Sequence, residues 1–298
     1  MGLFSLSKSK FRLSRPANDL NKPEYKSHSR NTSSSSSSSD AFTTTSQLQV
    51  HAIGYDMNQA LSGRTHENIS VHRVASNEAE AEAEHKYISI RPTKNSNSCA
   101  LVRASDPDPD PNQNPLISTI YRVGPGRRPR MRILPSNTNN NDTILSVEEA
   151  IDMDNASLNM RSELIDVKSR SMVSRAQVLD TSFGKFEWRY GTAEEHEDCN
   201  ADSLLVMERI DRVLMSDGKK CKGGTRVAQL VRNDRLRTPG TKKYSGGNGG
   251  RLMMDLRLWD DEKGASADCV EAFVVASCIL MLKREADRFI DNHLAMVV

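Results

Sequence analysis

Near the end of this 298-residue chain, the run "AFVVASCILML" from Ala272 to Leu282 carries no charged side chain, and the residues on either side of it are patterned for a helix. That helix, Cys269 to Asn292, follows Gly264 and the acidic Asp268 and ends rich in Lys and Arg, where the helix dipole favours cations. A helix that is apolar on every side has to be buried on every side. Eleven residues rise about 16 Å, roughly half of a bilayer's hydrocarbon core, which argues against a membrane span. The rest of the chain must therefore surround this helix.

What precedes it is patterned for β-structure. "YISIR" (87–91), "CALVRA" (99–104), "PLISTIYRV" (115–123), "PRMRIL" (129–134), "ELIDVKSRS" (163–171), "SRAQVLDT" (174–181), "KFEWRY" (185–190), "SLLVMERI" (203–210), "TRVAQLVR" (225–232) and "RLMMDLRLW" (251–259) have strand length and turn-type flanks. Most alternate with period 2 and so bury one face. In "GKFEWRYG", Phe186, Trp188 and Tyr190 are expected to enter the core, while Lys185, Glu187 and Arg189 face water. In a chain with only 5% aromatic residues, that strand supplies a large share of the core. "SVEE" (146–149) is a capping-box pattern for a short helix, and the acidic "AEEHEDCNAD" (193–202) reads as a solvated loop.

Residues 1–85 read as a disordered low-complexity tail, with a folded domain over 86–298. The seven-serine run Ser33 to Ser39, "TTTS" at 43–46 and the Glu-Ala alternation from Glu78 to Glu84 leave little apolar surface to offset ordering entropy. A net charge of +2 implies no global polyelectrolyte partner, so any basic site is local. Five cysteines at wide spacings, with no CxxC pair, point to reduced thiols and an intracellular protein, cytoplasmic or peripheral to a membrane. The basic start "MGLFSLSKSKFRLSR" misses the myristoylation pattern by one position, because Leu6 follows Ser5.

The succession "GPGRRPRMRI", "SRAQVLDTSFGKFEWRYG", "SLLVME", "RVAQLVR", "GGNGGRL" and "AFVVASCILMLKREADR" resembles the tubby C-terminal-like superfamily, in its fungal branch, which is related to the phospholipid scramblases. The resemblance covers about residues 86–295. It implies a mainly β fold, a closed antiparallel β-barrel threaded by a hydrophobic C-terminal α-helix. Closure also explains, independently of the resemblance, how the helix is buried all round and how sheet edges are protected.

Chemistry is sparse. There is no GxSxG, HExxH, GxxxxGK[ST] or GxGxxG pattern, and neither catalytic residues, a cofactor nor a metal is expected. His196 and Cys199 lack the further ligands that zinc needs, and "GGNGGR" (246–251) precedes a strand rather than a helix, so it reads as a hairpin loop and not a phosphate cradle. The one promising constellation is Arg122, Arg127, Arg128, Arg130 and Arg132, with no acidic residue among them. On a hairpin, Arg128, Arg130 and Arg132 share one strand face, a donor array suited to phosphate or else a solvated face. Nucleic acid is disfavoured by the lack of interleaved aromatics. The expected function is a non-enzymatic binding module that contacts anionic phospholipid at a membrane surface. The alternative is a regulatory protein-interaction scaffold, for unknown protein partners, with a phosphorylatable Ser/Thr-rich tail.

Overall fold

The computed structural model describes residues 42–56, 68–74, 84–92, 98–105, 115–121, 128–134, 147, 162–171, 174–211, 224–259 and 267–294. All lie in a compact unit, Asp40–Val298. The strands are β1 (Ser46–His51), β2 (Ile69–Arg73), β3 (His85–Ile90), β4 (Ser98–Arg103), β5 (Ile117–Ile120), β6 (Arg130–Ile133), β7 (Glu163–Asp166), β8 (Lys168–Ser169), β9 (Gln177–Thr181), β10 (Gly184–Tyr190), β11 (Ser203–Arg209), β12 (Thr225–Arg232) and β13 (Arg251–Met254). Among the described residues, the α-helical elements with a full range are α1 (Ala193–Asp198) and α2 (Ala267–Leu294).

All thirteen strands join one antiparallel sheet, in the order β7-β6-β5-β4-β3-β2-β1-β13-β12-β11-β10-β9-β8. The two ends of that order are consecutive in the chain, so the sheet curls into a nearly closed barrel. β7 pairs with β6, and after Val167 the same run becomes β8 and pairs with β9. At the other end of this seam, the Glu163 carboxylate accepts from the Ser182 amide (2.7 Å) and hydroxyl (2.6 Å).

Helix α2 fills the barrel. From Val270 to Leu282 its side chains are buried on every side, and they join the inward residues of the strands in one core that includes Leu48, Val71, Leu101, Met131, Phe186, Trp188, Leu205, Leu230 and Leu252. The one strongly polar side chain in the uncharged run has partners on both sides. Ser277 Oγ accepts from Trp188 Nε1 (2.9 Å) and donates to the Val274 carbonyl (3.0 Å). No described helix is long and apolar enough to cross a membrane.

Two carboxylates fix the depth of the helix. Near its start, Glu271 pairs with Lys86 and accepts from the Tyr87 hydroxyl (2.9 Å) and the Ser46 hydroxyl (2.7 Å). Near its end, Glu285 takes both Nη atoms of Arg232, at 2.6 and 2.9 Å. Burial alone would raise the Glu285 carboxyl, but the Arg232 charge and hydrogen bonds outweigh it and hold the group below its ordinary value. Lys86 reaches Glu271 because β3 carries a bulge there: Val71 faces Tyr87, yet His72 faces His85, so Lys86 is the extra residue.

The expected domain boundary at residue 86 is wrong. β1 lies between β13 and β2 in the middle of the sheet order, and Leu48, Val50 and Val71 are fully buried. Their signal is weak because "SQLQVH" and "ISVHR" each bury only one or two residues, and β1 pairs with a strand some two hundred residues further on. Residues 1–41, and with them the serine run, lie outside the described residues. So does the Glu-Ala alternation as far as residue 83.

Two further expectations change. "AEEHED" is not a loop but helix α1, opened by a capping box in which Thr192 Oγ1 accepts from the Glu195 amide (3.3 Å) and the Glu195 carboxylate accepts from the Thr192 amide (2.8 Å). Phe186 and Trp188 are buried as expected, but Glu187 and Arg189 are not in open water: Glu187 accepts from Arg170 (2.9 Å), and Arg189 bridges Glu195 and Glu208. Neighbouring elements cover the outer face of this part of the barrel.

Candidate anion-binding face

Strand β6 carries two of the five arginines singled out in the sequence, Arg130 and Arg132. Arg122 and Arg127 lie outside the described residues. The other three are treated very differently. Arg128 is exposed, just ahead of the strand. Arg130 projects from the outer face with about a third of its side chain exposed, and its Nε donates to Asp166 Oδ1 (3.0 Å) on the facing position of β7. Arg132, two residues on and on the same outer face, is fully buried.

The burial of Arg132 corrects the expectation of a three-arginine surface array. Its strand neighbours are Ser118 and Leu164, and its Nη1 donates to Ser162 Oγ (3.0 Å). Across the same outer face runs a second apolar cluster, Ile90, Ala100, Val102 and Val147, with Ile88, Ile120 and Leu164 packed against it. Val147, the one described residue of the "SVEE" stretch, is helical and belongs to that cluster. The part of the outer face that carries Arg132 is therefore covered, and Arg132 is structural.

The barrel end at which β5 stops and β6 starts holds more cationic groups. Tyr121, which directly follows β5, lines a small pocket with Ile69, Arg91, Cys99, Gly247 and Lys283. Cys99 Sγ and the Tyr121 hydroxyl are 2.9 Å apart, and Lys283 lies over the Tyr121 ring while pairing with Asp287. Burial raises both the Cys99 thiol and the Tyr121 hydroxyl, so neither is poised as a nucleophile at neutral pH. Burial likewise raises Cys278 to about 12. Among the described residues, no three His, Cys, Asp or Glu side chains are arranged to hold a metal ion.

The glycine-rich "GGNGG" belongs to this same end, but as packing. Gly246 lies against Phe289 and the Glu285 carbonyl, and Gly247, at φ 78°, lies against the Leu282 carbonyl and Ala286. A Cβ at either position would meet the last turns of α2. The sequence expectation of a hairpin loop misses this role because the contact is with a helix that follows some twenty residues later.

A constellation that sequence reasoning missed altogether is a file of three imidazoles. His72 lies between His51 (ring centroids 4.6 Å apart) and His85 (3.9 Å), on adjacent strands, with Ser70 Oγ 3.1 Å from His72 Nε2. The β3 bulge puts His85 opposite His72. Burial, followed by the neighbouring His72 and His85 charges, lowers His51 below its ordinary value near 6.5. A depressed histidine binds fewer protons folded than unfolded, so it costs no stability above the unfolded pKa and an increasing amount as pH falls below it. Stability should therefore decline as pH drops below about 6.5, before the carboxylates titrate. Urea midpoints measured between neutral and mildly acid pH should show the decline, and His51→Gln should flatten it. An equal slope in the variant would assign the decline elsewhere.

The class of protein defined here is a nearly closed antiparallel β-barrel filled by its own C-terminal helix, with a partly exposed arginine edge on β6. No family model, curated protein or solved structure matches the chain.

Proposed function

We propose that this protein is a non-enzymatic binding module that engages anionic phospholipid through the outer surface of its barrel. The observation that carries this reading is the filled interior: with α2 occupying the barrel, the residues left to meet a ligand are on the outside and at the ends. The resemblance to the tubby C-terminal-like superfamily supports the same reading. The buried cysteines and tyrosines, whose thiols and hydroxyls are held in the neutral form, favour binding over covalent chemistry.

On this reading Arg128 and Arg130 meet headgroup phosphate, while Arg132 keeps β6 in place. The full chain should associate with phosphatidylcholine vesicles that contain phosphatidylserine and ignore those that lack it. Replacing Arg128 and Arg130 with Gln should weaken association about 5- to 30-fold, taking roughly 1 kcal/mol for each cation near an anionic surface and discounting Arg130 for its Asp166 partner. Unfolding midpoints should stay close to those of the parent chain. Single- and double-stranded nucleic acid are offered in parallel, since both are polyanions. Preference for nucleic acid, or no association with either, would overturn the phospholipid reading.

A further inference from the structure

Among the described residues, Ile53 (49% exposed) and Tyr244 (81%) are the large apolar side chains left open to water. They belong to two loops of the same barrel end. Tyr55 and Gly246 exchange backbone hydrogen bonds of 2.8 and 2.9 Å, and Lys242 Nζ reaches Asp56 Oδ2 at 3.4 Å. The exposed residues thus flank a stitched junction. Its base is packed: Gly54, at φ 71°, lies against the Asn248 amide and the Gly246 carbonyl, while Gly246 and Gly247 lie against the last turns of α2. Asn248, itself buried, donates to the Lys242 carbonyl (3.2 Å) and accepts from Arg232 (3.2 Å).

Single exposed apolar residues are ordinary on protein surfaces. The setting of these two is less so. Residues 233–245 contain Arg235, Arg237, Lys242 and Lys243 against one acid, Asp234. Arg237 is buried on Asp202 and Asp234, whereas Lys242 and Lys243 keep 71% and 50% of their side chains exposed beside Asp56 and Asp202. Phe289, half-buried on the last turns of α2, lies behind the loop against Gly246. A tyrosine and an isoleucine on a braced platform, with lysines alongside, fit the boundary between headgroups and acyl chains. An amphipathic ring sits well there, and lysine stems lie along apolar surface while their ammonium groups stay with phosphate.

We infer that the paired loops bearing Ile53 and Tyr244 enter the interfacial layer of an anionic membrane and set the orientation in which the barrel docks. This rests on the phospholipid reading above but uses different residues and a different force. The β6 arginines act by charge and weaken with salt, whereas the loop contact is apolar and persists.

The chain's two tryptophans, Trp188 and Trp259, are both buried, so Tyr244→Trp adds a reporter in a different environment. With phosphatidylserine-containing vesicles, the emission of the full chain carrying Tyr244→Trp should shift to the blue and be quenched by brominated lipid. Ile53→Ser combined with Tyr244→Ser should reduce association about tenfold, and the loss should remain when salt is raised. Thermal midpoints of these variants should stay near the parent value, since both side chains are exposed. If vesicles bind but the new indole stays open to aqueous quencher, or the double serine variant binds like the parent chain, the loops do not enter the membrane and the phospholipid reading stands. If the parent chain binds no anionic vesicle, both fall together.

Discussion

A chain that begins at Lys86 is expected to lose its cooperative thermal transition, whereas one that begins at Asp40 keeps it. The shorter chain lacks β1 and β2, which lie between β13 and β3 in the sheet order. Their removal opens two unpaired strand edges in the middle of the sheet and uncovers α2 along the gap. Leu48, Val50 and Val71, all fully buried, each contribute about 1.5–3 kcal/mol by burial, and their sum alone approaches the 5–15 kcal/mol that typically holds a whole domain together. The cut also removes Ser46, one of the groups that hold Glu271 in the interior. Near-ultraviolet circular dichroism through a temperature ramp is the measurement, with dye binding to report exposed core. A chain from Lys86 that melts as sharply and as high as the chain from Asp40 would show that the first two strands are dispensable.

The difficulty of seeing β1 and β2 in the sequence has a physical origin. The terminal helix could be recognised because eleven uncharged residues in a row leave no exposed face. The aromatic strand could be recognised because its alternation is long enough to count, and Thr225–Arg232 because it has strand length and turn-type flanks. By contrast, β1 takes its stability from partners far away in the chain, Leu252 facing Leu48 and Met254 facing Ser46, and such pairings leave no trace in a local window. The same limit applied to the arginines. Period 2 placed Arg130 and Arg132 on one face, and that is where they are, but period says nothing about what covers the face. Ile88, Ala100 and Val102 already made that face apolar, and this was the available clue that Arg132 would be buried beneath something. The imidazole file depends on a bulge, and a one-residue slip between strands is not written in either strand alone.

The contact between Trp188 and Ser277 is expected to be the most costly single point to break. Trp188 is fully buried beside Met207 and Gln177 of its neighbouring strands, and nearby Phe186 lies 5.5 Å from the Phe273 ring of α2. Trp188→Ala should cost about 3–5 kcal/mol, enough to shift the folding equilibrium by roughly two to four orders of magnitude. Its neighbour Arg189, on the opposite face, is partly exposed and shared between Glu195 and Glu208, so Arg189→Ala should cost only about 1 kcal/mol. The polar part can be isolated by a cycle. Trp188→Phe keeps most of the ring and removes the donor, leaving Ser277 its bond to Val274. Ser277→Ala strands the indole N–H in an apolar interior and should cost about 1–3 kcal/mol. When both are changed, no donor is stranded, and the pair should cost less than the two single changes added together. Urea midpoints for the four proteins give the coupling directly. Strict additivity would mean that the indole and the serine do not meet and that α2 sits in the barrel in a different rotation.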